Sequence, residues 1–383
     1  MIKILHTSDW HLGRIIYGRS LLNDQEYFIN NFFLPYIKDY KPDAIIIAGD
    51  IYDRKIAPSQ AIRLFDNTIT EICLECNTQL IIISGNHDGA DRLTLGSKLL
   101  SNMGVHFISR IPETPEPIVI NNQNECVNIW PLPYFEPVDM RDYLNNDKLH
   151  SFNDSYKSYI KYISDKMPLN QTNILTAHCF VTGSKTSESE SPLYIGGSGE
   201  VHKDTFSLFD YVALGHLHAP QCINNIYYSG SPLKYSFDEE KHTKCINKIE
   251  INNKNISVEK IPVPAQHDMR KIIGKFDELI ENAKHDKHNE DYIFAVLLDD
   301  VPIFEPVARL REYYPNILGL ESSWMYKQSN QNNRDMLRKS IESNKIDDIQ
   351  IFEQFLSQMC GYDATPEDIK IFNDLTSGDD QNI

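Results

Sequence analysis

Short, largely apolar runs punctuate the first half of the chain, at 2–5, 44–47, 80–83, 173–176 and 211–214, and each stops at a small or polar residue. Runs of this length without regular polar alternation read as strands buried on both faces, the pattern of a parallel sheet covered by helices. Stretches of helical spacing lie between them. Tyr27, Phe28, Phe32 and Phe33 predict a helix over about 21–40, and Pro58 opens another along Ile62, Phe65, Ile69 and Ile72. A third helix is expected to run to about Met103. The middle is less regular, with strands near 105–109 and 127–130 and a polar helix around 154–165. Strands near 226–228, 245–251 and 256–260 precede Pro262 and Pro264, which mark a boundary. The alternation places the chain in the α/β class.

Beyond that boundary the pattern changes to a small β-α-β-α-β unit: strand 270–273, helix 276–283, strand 292–298, helix 306–313, strand 317–325. A polar linker follows, and then Ile346, Ile349, Phe352, Leu356 and Met359 form one helical stripe ended by Gly361. Thr365 and Pro366 have the chemistry of a cap and a first helical position, and Ile369, Phe372 and Leu375 continue an apolar side. Two short amphipathic helices behind a linker have no core of their own, so Ile349, Phe352, Leu356, Ile369 and Phe372 are candidates to meet a partner. The expected domains are 1–264, 265–328, a linker at 329–339 and a helical segment at 340–383.

With 383 residues, 41% of them hydrophobic, the chain has room for one large catalytic domain and small appendages. No apolar run approaches the roughly 18 to 20 residues of a membrane helix, so the chain is read as cytoplasmic, without signal peptide, anchor or membrane contact. Seven scattered cysteines suit a reducing compartment, and Cys73 and Cys76 read as helix packing. The formal charge of -17 argues against a protein that holds nucleic acid by a basic face of its own. Either the substrate is not nucleic acid, or its contacts come from local clusters, bound ions and a partner. The segment 331–383, with 11 acidic and 5 basic residues, is not suited to touch DNA.

The chemistry lies where the apolar runs stop. In open α/β sheets, ligands bind beyond the carboxyl ends of the strands, where loops converge. These ends carry Asp9 and His11, Asp50, Asn86 and His87, His178, and His216 and His218. Oxygen and imidazole donors without a thiolate suit two hard divalent cations, Mn²⁺ above structural zinc. Asp9, His11, Asp50 and His218 are assigned to one ion, and Asp50, Asn86, His178 and His216 to the other, with Asp50 as the bridge. His87, beside Asn86, is expected to act as general acid or transition-state stabiliser, held by Asp88 or a backbone carbonyl. Asp53 and Asp88 are candidates to orient a histidine or, equally, to cap a local turn.

Taken together, Asp9-x-His11, Gly49-Asp50, Gly85-Asn86-His87-Asp88, His178 and Gly215-His216-x-His218 resemble the calcineurin-like metallophosphoesterase superfamily. More narrowly, residues 8–13, 48–53 and 213–218 resemble its SbcD-type nuclease subunits. The resemblance implies a sandwich of two β-sheets flanked by helices, with a small α+β capping domain and a C-terminal helical pair. It also implies a manganese-dependent 3'-5' exonuclease and endonuclease acting on double-strand ends and hairpins in repair and recombination. The implied partners are an SbcC-type ATPase, met through the C-terminal helices, and a second copy, met through helices of the nuclease domain.

On that reading Arg14, Arg19, Arg54, Lys55, Arg92, Lys185 and Lys203, all on loops after ligand strands, are candidates to hold the DNA backbone. Two other readings share the same ligand set. One is a general phosphomonoesterase or cyclic-nucleotide phosphodiesterase; the other is a non-catalytic scaffold that tethers an ATPase to DNA.

Overall fold

The computed structural model describes residues 1–123, 125–190, 199–323, 349, 352–353 and 364–376. The chain divides into two compact units, Met1–Arg270 and Lys271–Ile383. In the first, Ile2–Thr7, Ala44–Ala48, Gln79–Ile83 and Val105–Ile108 lie parallel, side by side. The antiparallel strands Cys245–Asn252 and Asn255–Pro262 extend this sheet beyond Ile2–Thr7. A second six-stranded sheet holds Ile226–Tyr228, Tyr211–Gly215, Thr172–His178 and Cys126–Pro131 in parallel, with antiparallel edges Gln221–Ile223 and Ile118–Asn121.

Side-chain alternation joins the two sheets. Ile2, Ile4, Ala44, Ile46 and Ile81 from one, and Val127, Ile129, Ile174, Tyr211 and Ala213 from the other, form one buried cluster between them. Burying an isoleucine or valine of this kind contributes roughly 1.5–3 kcal/mol. His6 lies on the same inward face. Its Nε2–H donates to the Leu214 carbonyl at 3.2 Å, and its Nδ1 accepts from the Tyr211 hydroxyl at 3.0 Å, so a neutral ring ties one sheet to the other. The outer face of the second sheet is covered by the helix Phe152–Ser164, through Phe152, Tyr156, Tyr159, Ile160 and Ile163.

Registers set where the site forms. Thr7 pairs with Ile47, Ala48 with Ile83, and His178 with Gly215, so neighbouring strands finish level and present their loops at one edge.

Two helices depart from expectation. The stretch over 21–40 is three segments: α-helix Leu22–Tyr27, π-helix Phe28–Phe33 and α-helix Leu34–Tyr40. Pro35, which has no N–H to donate, falls where the wide turn closes, and the turn directs Phe28, Ile29 and Phe33 inward. The helix expected up to Met103 is two short ones, Ala90–Leu93 and Ser97–Ser101, separated at Gly96 with φ 78°. The pattern also missed the helix Pro137–Leu144, which Glu136 and Asp139 close with a capping box.

The second unit begins within the strand Met269–Gly274, which forms a three-stranded sheet in chain order with Tyr292–Leu297 and Ile317–Ser322. Helices Phe276–Ala283 and Pro306–Arg311 bury Phe276, Leu279 and Leu310 against Ile272, Ile293 and Ile317. The last helix, Pro366–Thr376, is capped as its sequence suggests: the Asp368 N–H donates to the Thr365 hydroxyl at 3.3 Å, and the Thr365 N–H donates back to Asp368 at 2.9 Å. The rings of Phe352 and Phe372 stack at 4.4 Å. Leu356 and the linker at 329–339 lie outside the described residues.

Candidate metal centre

Strand ends must turn sharply to aim two side chains at one point, and the backbone shows it. Asp9, His11, Asp50 and His216 all have positive φ, at 55°, 44°, 51° and 98°. Left-handed backbone at four non-glycine residues costs of order 1 kcal/mol or more each, and such outliers concentrate at functional sites. Hydrogen bonds hold the turns. The Asp9 N–H donates to the Gly49 carbonyl and the His11 N–H to the Asp50 carbonyl, each at 3.0 Å. The His216 N–H donates to Asp9 Oδ1 and the His87 N–H to Asp50 Oδ1, each at 2.9 Å. Beneath, Trp10 packs edge-on against Phe28, Phe33 and Phe65.

All seven expected donors converge. Asp9, His11 and His218 form one group whose ligand atoms lie within 4.8 Å of one another, and Asp9, Asp50 and His178 form another. Asp50 Oδ2 stands between the groups, 3.6 Å from His11 Nε2 and 3.4 Å from His178 Nε2. Asn86 Oδ1 lies 3.0 Å from His178 Nε2 and 3.3 Å from His216 Nδ1. His178 is fixed from behind, its Nδ1–H donating to the Ala48 carbonyl at 2.9 Å.

His87 and its neighbours divide the remaining roles. Nδ1–H of His87 donates to the Asp53 carbonyl at 2.8 Å, so a backbone oxygen holds the ring, which stands edge-on to His11 at 4.8 Å. Of its two expected roles Asp88 takes the turn-capping one. Its oxygens accept N–H bonds from Gly85, Ile51 and Tyr52 at 2.9 to 3.2 Å, stitching the loop of Asn86 to that of Asp50. The Asp53 carboxylate lies 3.8 Å from His11 Nδ1 and takes a 2.9 Å ion pair from Arg14. Arg14 also donates to the Ser189 carbonyl at 3.1 Å, so its guanidinium is committed to the wall of the site. Arg19, Arg54, Lys55, Arg92, Lys185 and Lys203 are exposed.

Residues 2–220 match the family model "Calcineurin-like phosphoesterase", and residues 265–359 match "Type 5 capsule protein repressor C-terminal domain". A curated relative from Staphylococcus epidermidis, the SbcD subunit of the nuclease SbcCD, is 34% identical over 94% of this chain and 93% of its own. The chain belongs to the SbcD family of calcineurin-like phosphoesterases. Among solved structures, a dimetal phosphatase from Danio rerio is 10% identical, with a TM-score of 0.42 over 68% of this SbcD-family chain and 96% of that one. The calcineurin-like phosphoesterase YfkN from Bacillus subtilis is 12% identical, with a TM-score of 0.34 over 69% and 90%.

The donor set fits a pair of divalent cations, as a dimetal phosphoesterase site with His and Asp ligands requires. Asp9 and Asp50 are two buried carboxylates packed together. Burial, with the Asp50 charge, pushes Asp9 up to about 8. Burial opposes ionisation of Asp50 as well, yet His178 holds it well below the usual carboxylate range. Burial lowers His11 far below its ordinary value and takes His216 to about 3, leaving neutral imidazole lone pairs. Bound cations are the natural counter-charge for such a set.

Several supporting groups escaped the sequence reading. Gln25, in a helix of the π-bulged stretch, donates to the carbonyls of Trp10 and His11, and accepts from the Gly13 N–H. The Tyr235 hydroxyl donates to the Trp10 carbonyl. Ser189, Glu190, Glu239 and Lys244 surround His218. Glu239 and Lys244 sit in a charged run that reads as surface, and no local signal marks them as buried.

Proposed function

We propose that this chain is the nuclease subunit of a DNA-end processing complex, hydrolysing phosphodiester bonds at double-strand ends and hairpins with two Mn²⁺ ions. The observation that carries this is the convergence of Asp9, His11, Asp50, Asn86, His178, His216 and His218 at one edge of the sandwich, with Asp50 Oδ2 between the two groups. Bound divalent ions supply an activated water and offset charge on the phosphoryl oxygens. The chain's own residues do the rest. Asp9, His11, Asp50 and His218 would hold one ion; Asp50, Asn86, His178 and His216 would hold the other. His87, with Nδ1–H committed to the Asp53 carbonyl, presents Nε2 to the phosphate or the leaving oxygen; as the imidazolium it gives the Nε2 proton to that oxygen and is left as the neutral Nδ1–H ring.

Exposed Arg54, Lys55 and Lys185 on loops, with Arg19 in the short strand Arg19–Ser20, Arg92 in the helix Ala90–Leu93 and Lys203 in the 3-10 helix Lys203–Phe206 rather than on the loops expected, hold the DNA backbone without reading sequence. Pairing with a second copy through the nuclease domain is supported by a cleft of about 500 Å³ lined in part by the exposed side chains of Ile62, Leu74, Leu95 and Met103. The C-terminal helices meet an SbcC-type ATPase, as the relative's membership of an SbcCD pair suggests, through Ile349, Phe352, Leu356, Ile369 and Phe372. The chain acts in the cytoplasm. No described helix is long and apolar enough to cross a membrane.

The test is cleavage of linear and hairpin duplex DNA with Mn²⁺, set against a chromogenic phosphate diester. DNA cleavage lost in His87→Gln is expected. Activity confined to the small ester rejects the proposal in favour of a general phosphoesterase.

A further inference from the structure

His218 is the ligand with the most elaborate backing, and nothing in the strand-end pattern accounts for it. Ser189 Oγ lies 2.6 Å from His218 Nδ1 and is also in hydrogen-bond contact with Glu239 Oε1. A serine hydroxyl has one proton to give. Glu239 is fully buried and its other oxygen takes the Lys244 ammonium, so its carboxylate accepts only. Were the hydroxyl proton turned toward His218, two oxygens would face each other bare. The proton therefore goes to Glu239, and Ser189 Oγ accepts from His218 Nδ1–H. That direction leaves the lone pair of His218 on Nε2, the nitrogen that faces His11 Nε2 at 3.1 Å.

We infer that Ser189, Glu239 and Lys244 are positioning residues: a buried relay that fixes the tautomer and orientation of His218 for cation binding. The inference deepens the dimetal reading and rests on it. Lys244 does more than balance charge, since it also donates to the His218 carbonyl at 2.8 Å and to the Ser231 hydroxyl at 2.9 Å. Glu190 closes the other side, accepting from the His218 N–H at 2.6 Å and the Ser187 N–H at 2.9 Å. The turn at 187–190 is thus a clip on the last ligand. Because Arg14 bridges the Ser189 carbonyl and Asp53, the clip is also tied to the loop that holds His87. Outer partners of this kind set the basicity and aim of a metal-binding imidazole, and losing one typically costs roughly 10- to 100-fold in metal affinity.

The test uses the full chain as wild type, Ser189→Ala and Ser189→Thr. Mn²⁺ binding is followed by electron paramagnetic resonance titration, and histidine tautomers by ¹⁵N-edited NMR of the metal-free protein. Wild type is expected to bind two ions and show a Nδ1–H signal from His218. Ser189→Ala should lose that signal and weaken one ion by roughly 10- to 100-fold, leaving the second unchanged. Ser189→Thr, which keeps the hydroxyl, should retain both. Ser189→Ala with unchanged affinity for both ions and an unchanged Nδ1–H signal overturns the relay. A wild type that takes up fewer than two ions overturns the dimetal reading, and the tautomer signal then still decides the relay by itself.

Discussion

His11 Nε2 and His218 Nε2 face each other at 3.1 Å, although 207 positions separate them in the chain. Burial holds both rings below their ordinary range, so the pair is neutral, and the relay behind His218 leaves that nitrogen without a proton. Two buried donors converging this way define a cation site whose removal has measurable consequences.

Metal binding should stabilise the fold, and Asp50 should be required for it. A cation at 100 times its dissociation constant stabilises by about 2.7 kcal/mol per site. Wild-type protein is expected to melt several degrees higher in Mn²⁺ than in a chelator. Asp50→Ala, which removes the oxygen between the two groups, should show little of that increment. Equal increments in calorimetry would discard Asp50 as the bridge.

His87 should matter to turnover and not to loading. Its backbone N–H, which a substitution keeps, donates to Asp50 Oδ1, and its ring is held at the edge of His11 by the Asp53 carbonyl, a position that suits proton donation. His87→Gln is expected to bind both ions with wild-type affinity and to lower the rate of DNA cleavage by about 10²- to 10⁴-fold. Parallel loss of binding and rate would make it a ligand instead.

Gly49 should tolerate no side chain. It has φ +89°, and a Cβ there would stand 2.4 Å from His178 Nδ1 and 2.9 Å from the backbone of Gly85. Gly18, at φ +77° with open space around it, is the control. Alanine in the left-handed region costs roughly 1–2 kcal/mol at either position. Only Gly49→Ala, by displacing His178, should also abolish uptake of one ion. If both variants bind Mn²⁺ alike, the close approach of the two loops is not required.

The buried ring of His6 should make the protein acid-sensitive. Burial lowers it to about 3 against an ordinary 6.5, with the bond to Leu214 opposing in part. Between those values the unfolded chain binds the proton and the folded chain does not, so stability falls as pH falls. From pH 7 to 5 the loss amounts to about 2 kcal/mol at this site. His6→Gln should be less stable at neutral pH yet lose less on acidification, as read by urea titration at pH 7 and pH 5. Parallel losses in both proteins would assign the acid sensitivity elsewhere.

Much of this was legible in one dimension. Unbroken runs such as 44–47 and 80–83 can be satisfied only between two covered faces, and the residues that stop them, Asp50 and Asn86, are at the carboxyl ends by necessity. Elements of the small unit were readable too: Phe276–Ala283 keeps an apolar side at helical spacing, and Tyr292–Leu297 is one apolar run. Local hydrogen-bonding chemistry announced Thr365 as a cap.

Tertiary structure alone decided the rest. A charged run containing Glu239 has no local reason to be buried; it becomes so because Lys244 of the same run and Ser189 from a distant segment close around it. Nor could spacing foretell that Arg14 is held by Asp53 and Ser189, or that Asp88 binds two loops together, since those partners meet only once the sheets have packed. Periodicity reports which face of an element leaves water. It carries no information on which distant donor will meet which acceptor, because that depends on the register and the turns of every strand between them.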